Sequence, residues 1–271
     1  MIIVDGVKIG PEHPPYIVAD LSANHMGTFK RAVELIVAAH RAGCHAIKPQ
    51  LYTPDELCRP GTIAKDGPWK GQDLYELYKT TMTPREWFPD MFSLARRIGI
   101  TMFSSVFSLD GVDFLESLGC PAYKIAAVEH DWQALIDKCM ATGKPVFISH
   151  PHARQVIPGT IPLYNRPGYP VRFENADMGK LREGQGVYGM SSHVMDHRAF
   201  PMAVALGASV LEAHIIMHEE DGGWDSTFSF EPSGFRRIVK DSEAAWLAMR
   251  PQDDKQPAFK RDAAGLRVNA V

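Results

Sequence analysis

The chain has 271 residues and a formal net charge of −3, with 45% hydrophobic and 23% charged residues. The slight acidity and the absence of a basic run argue against nucleic acid as a partner. No apolar stretch approaches the length of a membrane span, and the opening segment MIIVDGVKIG lacks the features of a signal peptide.

The four cysteines show no CxxC spacing that would suggest a metal or redox motif. We therefore expect reduced thiols in a cytoplasmic protein. They are Cys44, Cys58, Cys120 and Cys139.

Strands and helices alternate along most of the chain. Residues 16–25 (YIVADLSANH) predict a strand that ends in polar residues, and residues 28–43 predict a helix that stops at Gly43. Residues 44–52 predict the next strand, and the Gly- and Pro-rich segment 53–81 predicts an insertion on one face. Further helices are predicted over 83–99, 109–119, 131–143, 195–207 and 231–250, and further strands over 100–108, 120–129, 144–150, from about 160, 185–193 and 208–217.

Eight strand candidates in about 250 residues predict an α/β fold, a (β/α)8 TIM barrel, as a single domain over residues 1–250. Residues 251–271 are predicted to form a peripheral tail. A doubly wound open sheet is the alternative, but it usually has fewer strands, and no GxGxxG motif follows the first strand.

Polar residues collect at the predicted carboxyl ends of the strands, where barrel enzymes place their active sites. His193 and His214 end the last two strands, which are neighbours in a barrel. Two adjacent imidazoles, with water and one or two carboxylates, suit a divalent transition metal. The alternative is that each histidine only caps a strand through hydrogen bonds.

Lys48 and Lys124 lie inside otherwise apolar strand segments. A buried ammonium is costly unless it meets an anion, so a phosphate or carboxylate ligand is predicted there. Two alternatives stay open: each lysine pairs with a strand-end carboxylate such as Asp20 or Glu129, or one forms a Schiff base.

Several segments together resemble the sialic acid synthase family, and its pseudaminic acid synthase branch in particular. The similar segments are IVADLSANHMG, AIKPQLYTPDEL, GITMFSSVFSLDGVDFLESLGCPAYKIA, YGMSSHVMDHRAFPMAVALGASVLEAHI and GGWDSTFSFEPSGF, and the resemblance covers roughly residues 15–250. It implies a condensation of phosphoenolpyruvate with an N-acetylated hexosamine, giving a nine-carbon 2-keto-3-deoxy acid.

The resemblance also implies roles for individual residues. His193 and His214 would hold a divalent metal, manganese being the expected ion, and Asp20 and Glu129 would transfer protons. Phosphoenolpyruvate would be bound by Lys48, Ser105, Lys124, Ser149 and Ser191, and the sugar by Gln50, Tyr169 and Asp225.

The chain departs from the family pattern at several positions. Ala127 replaces a phosphate-binding serine, Pro167 replaces a polar contact, and His150 and His152 stand where small residues are usual. The family's C-terminal antifreeze-like domain is not expected. The assembly typical of the family predicts a homodimer, and a separate antifreeze-like protein is the candidate partner that would replace the domain.

Three functions therefore stay open. The first is a synthase of this family, and the second is a divergent metal-dependent aldolase or lyase on the same barrel. The third is a non-catalytic relative that binds a metabolite. If His150 points into the mouth of the barrel and adds a metal ligand, the aldolase or lyase is favoured. If it fills the space of the helix that should follow strand 144–150 and is largely missing from the sequence, the synthase interpretation stands.

Overall fold

The computed structural model describes residues 1–151, 157–183, 186–250, 259–261, 264 and 266–269. Its strands are β1 (Ile2–Val4), β2 (Val7–Ile9), β3 (Tyr16–Asp20), β4 (Ala46–Lys48), β5 (Gln50–Leu51), β6 (Thr101–Met102), β7 (Ser104–Val106), β8 (Tyr123–Ile125), β9 (Val146–His150), β10 (Ile161–Tyr164), β11 (Gly189–Ser191), β12 (Val210–Ile215), β13 (Ser229–Phe230), β14 (Phe259–Arg261) and β15 (Arg267–Asn269). Its α-helices are α1 (Phe29–Ala42), α2 (Pro54–Leu57), α3 (Leu74–Thr81), α4 (Phe88–Ile98), α5 (Leu109–Ser117), α6 (Gln133–Ala141), α7 (Ala199–Ala205) and α8 (Pro232–Met249).

Strands β3 to β12 form a closed ring of parallel strands. β4 with β5, and β6 with β7, are the two halves of interrupted strands, so the ten segments make eight barrel strands. The chain order runs around the ring until β12 pairs with β3 and closes it. The (β/α)8 barrel prediction is confirmed, and the open-sheet alternative is wrong.

The helix ends follow local capping rules. The side chains of Thr28 and Ser108 accept hydrogen bonds from the first turns of α1 and α5. Gly43 and Gly99 end α1 and α4 with φ of 88° and 82°, a left-handed conformation that glycine adopts without steric cost.

Two predicted strands are too long at their carboxyl ends. β3 stops at Asp20, and Ser22–His25 forms a 3₁₀ turn; β8 stops at Ile125, and Ala127–Glu129 forms another. These turns lie where the chain leaves the barrel, and they carry several of the predicted site residues.

The barrel interior is apolar towards the amino ends of the strands and polar towards their carboxyl ends. Phe103 and Phe147 are almost completely buried and stack with their ring centroids 5.4 Å apart. Because alternate residues of a strand face the same side, Ser105 and Ser149, two residues further on, also face inward. The aromatic pair therefore closes the apolar part of the interior, directly next to the polar side chains of Ser105 and Ser149.

A β-hairpin that was not predicted precedes the barrel. Asp5 and Gly6 both have positive φ, 49° and 81°, as a two-residue type I′ turn between β1 and β2 requires. Val4 and Ile9 are fully buried in the core. The hairpin thus contributes apolar side chains to the main core.

The predicted insertion 53–81 contains α2 and α3, with an isolated bridge between Ile63 and Asp73. The ring of His25 bonds the carbonyl of Thr81 at 3.2 Å, and the Tyr52 hydroxyl bonds the Thr81 hydroxyl at 2.9 Å. These contacts attach the end of α3 to the turn after β3 and to the segment after β5.

Among the described helices, none combines the length and apolar character that crossing a membrane requires.

Near the C-terminus, β14 and β15 pair as an antiparallel hairpin. The division into a barrel and a peripheral tail stays a prediction.

Candidate active site

A cavity of about 310 Å³ opens at the carboxyl ends of the barrel strands. Eleven of the twelve predicted site residues line it, and Glu129 is the exception. The eleven are Asp20, Lys48, Gln50, Ser105, Lys124, Ser149, Tyr169, Ser191, His193, His214 and Asp225.

Lys48 forms a buried ion pair with Asp20. The strand register places the two residues opposite each other, and Lys48 Nζ donates to Asp20 Oδ2 at 2.7 Å and to Ser105 Oγ at 2.8 Å. Burial opposes both charges, but mutual attraction outweighs it, so the pKa of Asp20 is lowered to about 2 and that of Lys48 is raised. For Lys48, the alternative in which the lysine pairs with a strand-end carboxylate is therefore confirmed.

Lys124 is less well compensated. Its Nζ donates to Ser149 Oγ at 2.7 Å and to the Ile125 carbonyl at 3.2 Å, and it lies 3.8 Å from Glu212 Oε1. Burial lowers its pKa more than Glu212 raises it. This ammonium, on the cavity wall, can be stabilised by an anionic ligand.

Glu212 lies between the two lysines, a position for which no role was predicted. Its Oε1 accepts from Ser191 Oγ at 2.8 Å and is 3.9 Å from Lys48 Nζ and 3.8 Å from Lys124 Nζ. Its Oε2 is buried and has no hydrogen-bond partner among the described residues. A glutamate within the apolar strand VLEAHI was the available signal, since buried carboxylates need partners.

The two predicted metal ligands lie side by side, with ring centroids 5.1 Å apart. Burial and the neighbouring His214 hold the pKa of His193 well below its usual value. Burial also opposes charge on His214, but Asp20 and Asp225, 3.6 and 3.7 Å from its ring nitrogens, raise its pKa. His193 is therefore neutral, and His214 is the more basic ring.

The donor set fits a metal that takes few ligands from the protein. Within the described residues, no group of three or more His, Cys, Asp or Glu has the arrangement of a metal site. However, His193 Nδ1 is buried beside the cavity without a hydrogen-bond partner there, and His214 Nδ1 has only the Asp225 carboxylate nearby, with Oδ2 3.7 Å away. Two imidazoles with further positions open to ligands or water are compatible with a catalytic divalent ion.

An aromatic wall, formed by Trp69, Tyr169 and Phe228, stands at one side of the cavity. Tyr169 lies 5.4 Å from Trp69, 5.2 Å from Phe228 and 4.2 Å from His193 between ring centroids. Trp69 Nε1 also donates to the Trp224 carbonyl at 3.3 Å. The sequence predicted only an insertion over residues 53–81, because nothing in it indicated which way its tryptophan faces.

Glu129 lies on the 3₁₀ turn after β8, next to the cavity-lining residues Ala127 and Val128. Its Oε2 is buried and has no hydrogen-bond partner among the described residues. Burial raises its pKa to about 7, although Lys124 opposes the shift. A carboxyl group with this pKa can exchange protons near neutral pH.

His150 does not line the cavity. It follows the inward-facing Ser149, and its ring packs edge-on against His130 with centroids 4.4 Å apart. His150 therefore does not add a metal ligand in the cavity, as the aldolase or lyase interpretation would require. His152 lies outside the described residues, and Ala127 forms part of the cavity wall.

Comparison with known proteins gives a consistent result. The profile of the NeuB family matches residues 35–155 and 163–254. The pseudaminic acid synthase of Helicobacter pylori is 35% identical over 268 residues, covering 89% of this chain and 77% of the relative. That of Campylobacter jejuni serotype O:23/36 is 35% identical over 245 residues, covering 83% and 71%.

Solved structures agree on the fold. The N-acetylneuraminic acid (sialic acid) synthetase of Leptospira borgpetersenii, solved with citrate, superposes with a TM-score of 0.81 at 21% identity, covering 97% of this chain and 93% of that one. The family match extends over most of the chain and includes the residues of both cavity lysines and both histidines. The chain belongs to the NeuB family and is a sialic acid synthase-like condensing enzyme of the transferase type.

Proposed function

We propose that this enzyme condenses phosphoenolpyruvate with an N-acetylated hexosamine, giving a nine-carbon 2-keto-3-deoxy acid of the sialic or pseudaminic type. The observation that carries the proposal is the buried, incompletely compensated ammonium of Lys124 beside Lys48 in the cavity. Phosphoenolpyruvate has a carboxylate and a phosphate that such a pair can bind.

In this proposal, the sugar lies between the two cavity lysines, Lys48 and Lys124, and the aromatic wall. Asp225 and Gln50 are polar groups that line this part of the cavity, and Tyr169 offers a ring face. His193 and His214 would hold a divalent metal, manganese being the proposed ion, and such an ion would supply Lewis-acid polarisation of the sugar aldehyde.

The reaction forms one carbon–carbon bond and releases phosphate. C3 of phosphoenolpyruvate attacks the aldehyde carbon, and the aldehyde oxygen gains a proton. Water adds to C2 and loses one proton, and the C2–O bond to phosphate then breaks while the C2 hydroxyl gives its remaining proton to the departing phosphate, leaving the ketone. Glu129, with its pKa of about 7, suits the proton transfers, while Asp20 remains a carboxylate that orients Lys48.

The test is phosphate release from phosphoenolpyruvate with manganese present, across a panel of N-acetylated hexosamines. Release that depends on a sugar and disappears in His193→Ala and Lys124→Ala supports the proposal. No release with any sugar, in a protein that binds manganese, would favour the lyase. Loss of manganese binding in His193→Ala, measured by calorimetry, tests the metal site separately from turnover.

We further propose a cytoplasmic homodimer that an antifreeze-like protein can assist. The four cysteines are free thiols, which suits a reducing compartment. Light scattering after size-exclusion chromatography measures the oligomeric state, and adding a separately produced antifreeze-like domain to the phosphate assay tests assistance.

A further inference from the structure

Ser22 stands at a strained position in the wall of the cavity. It is 5% exposed, it lines the cavity, and its φ of 46° is in the left-handed region that non-glycine residues rarely adopt. Such conformations persist only where the surroundings fix them, and they collect at functional sites. No role was predicted for this residue.

The contacts of Ser22 connect three elements of the site. Its backbone N–H donates to Asp20 Oδ1 at 2.9 Å, and its hydroxyl donates to Asp225 Oδ2 in a short hydrogen bond. The amide of Gln50 donates to the same hydroxyl at 3.3 Å. The strained turn therefore orients the hydroxyl between the first residue of β5 and the segment before β13.

These contacts hold the Asp225 carboxylate by one oxygen. Oδ2 accepts from Ser22 Oγ and from the Ala23 N–H at 3.4 Å, and it lies 3.7 Å from His214 Nδ1. Among the described residues, Oδ1 accepts no hydrogen bond, and Asp225 lines the cavity, so this oxygen can accept a hydrogen bond from a ligand.

We propose that Ser22 is a positioning residue that fixes Asp225 for recognition of a hydroxyl or amide N–H of the acceptor sugar. This inference rests on the proposed function, because it assigns the sugar to the Asp225 side of the cavity. A glycine at this position would relieve the backbone strain but would lack the hydroxyl that holds the carboxylate.

Two variants separate the hydroxyl from the backbone. Ser22→Ala removes the hydroxyl and keeps the strain, whereas Ser22→Gly removes both. If the hydroxyl positions Asp225, both variants raise the KM for the sugar about tenfold and leave the KM for phosphoenolpyruvate within about twofold. Ser22→Gly should nevertheless melt roughly 2–4 °C above Ser22→Ala.

Asp177→Gly is the matched control, since Asp177 also has a positive φ, 49°, but does not line the cavity. It should change neither KM. A purely structural role for Ser22 predicts instead that Ser22→Gly keeps the wild-type KM for the sugar, and that result would overturn the proposal.

Crystal structures of the wild type and both variants provide a readout that does not depend on turnover. The Asp225 carboxylate should rotate or become disordered in both variants, and an unchanged carboxylate would overturn the inference. If the wild type releases no phosphate, the proposed function fails, while these structures still decide the role of Ser22.

Discussion

Lys48 and Lys124 are both buried lysines of the same cavity, but they differ in how their charges are balanced. Lys48 has a carboxylate oxygen at 2.7 Å, whereas Lys124 has one at 3.8 Å. A buried ion pair is costly to break, because the remaining charge keeps its desolvation penalty. The two residues should therefore respond differently to the same substitution.

Lys48→Met should lower the free energy of unfolding by about 3 kcal/mol or more, because it leaves the Asp20 carboxylate buried without its partner. Lys124→Met should cost less than about 1 kcal/mol, yet it should lower kcat/KM at least about a hundredfold. Urea unfolding and phosphate release measure the two effects. Equal destabilisation by both variants would contradict this assignment.

Glu129 should make the stability of the folded protein depend on pH. Its pKa is raised from 4.5 to about 7 on folding, so its contribution to stability is full below about pH 4.5 and is lost as the pH rises through 7. Relative to Glu129→Gln, the wild type should lose stability between pH 5 and pH 8. Urea unfolding at the two pH values tests this, and equal pH slopes would show that Glu129 does not titrate there.

At the scale of elements, the insertion 53–81 brings a side chain to the cavity that the barrel strands do not supply. Trp69 contacts Tyr169 and Phe228, and it bonds the Trp224 carbonyl. The insertion is therefore expected to contribute to binding of the acceptor sugar, and not of phosphoenolpyruvate.

Trp69→Ala should raise the KM for the sugar about tenfold, because it removes one ring of the aromatic wall. Trp69→Phe keeps a ring and should recover most of the affinity. Steady-state kinetics with each substrate varied in turn checks this. A selective rise in the KM for phosphoenolpyruvate would show that Trp69 contributes to binding of that substrate instead.

The hairpin of β1 and β2 should affect stability alone. Ile9 is fully buried in the core and does not line the cavity. Ile9→Ala should lower the free energy of unfolding by about 2–4 kcal/mol and leave kcat unchanged per folded molecule. Chemical denaturation followed by active-site titration separates the two, and a large fall in kcat would indicate coupling between the hairpin and the cavity.

At the scale of the whole molecule, the alternation of strands and helices was enough to predict the barrel. A closed ring of parallel strands brings all strand ends to one face, so Asp20, Lys48 and His214 could be placed together without knowledge of their contacts. The hairpin was missed although Asp5–Gly6 is a strong turn signal between apolar residues.

The contacts within the site could not be predicted in this way. Which lysine pairs with Asp20 depends on the strand register, and the position of Glu212 between the lysines depends on the barrel's three-dimensional closure. The conformation of Ser22 depends on a turn whose partner, Asp225, is 203 residues away in the chain. Sequence patterns report local periodicity, and these features are set by distant segments.

In the proposed reaction, the cavity joins phosphoenolpyruvate to a sugar by a new carbon–carbon bond. The most direct measurement is mass spectrometry of the product formed from an N-acetylated hexosamine and phosphoenolpyruvate labelled with ¹³C at C3 and ¹⁸O at the bridging oxygen. We expect a nine-carbon acid that carries the ¹³C, with the ¹⁸O in the released phosphate. Labelled pyruvate without a nine-carbon product, or ¹⁸O retained in the organic product, would contradict it.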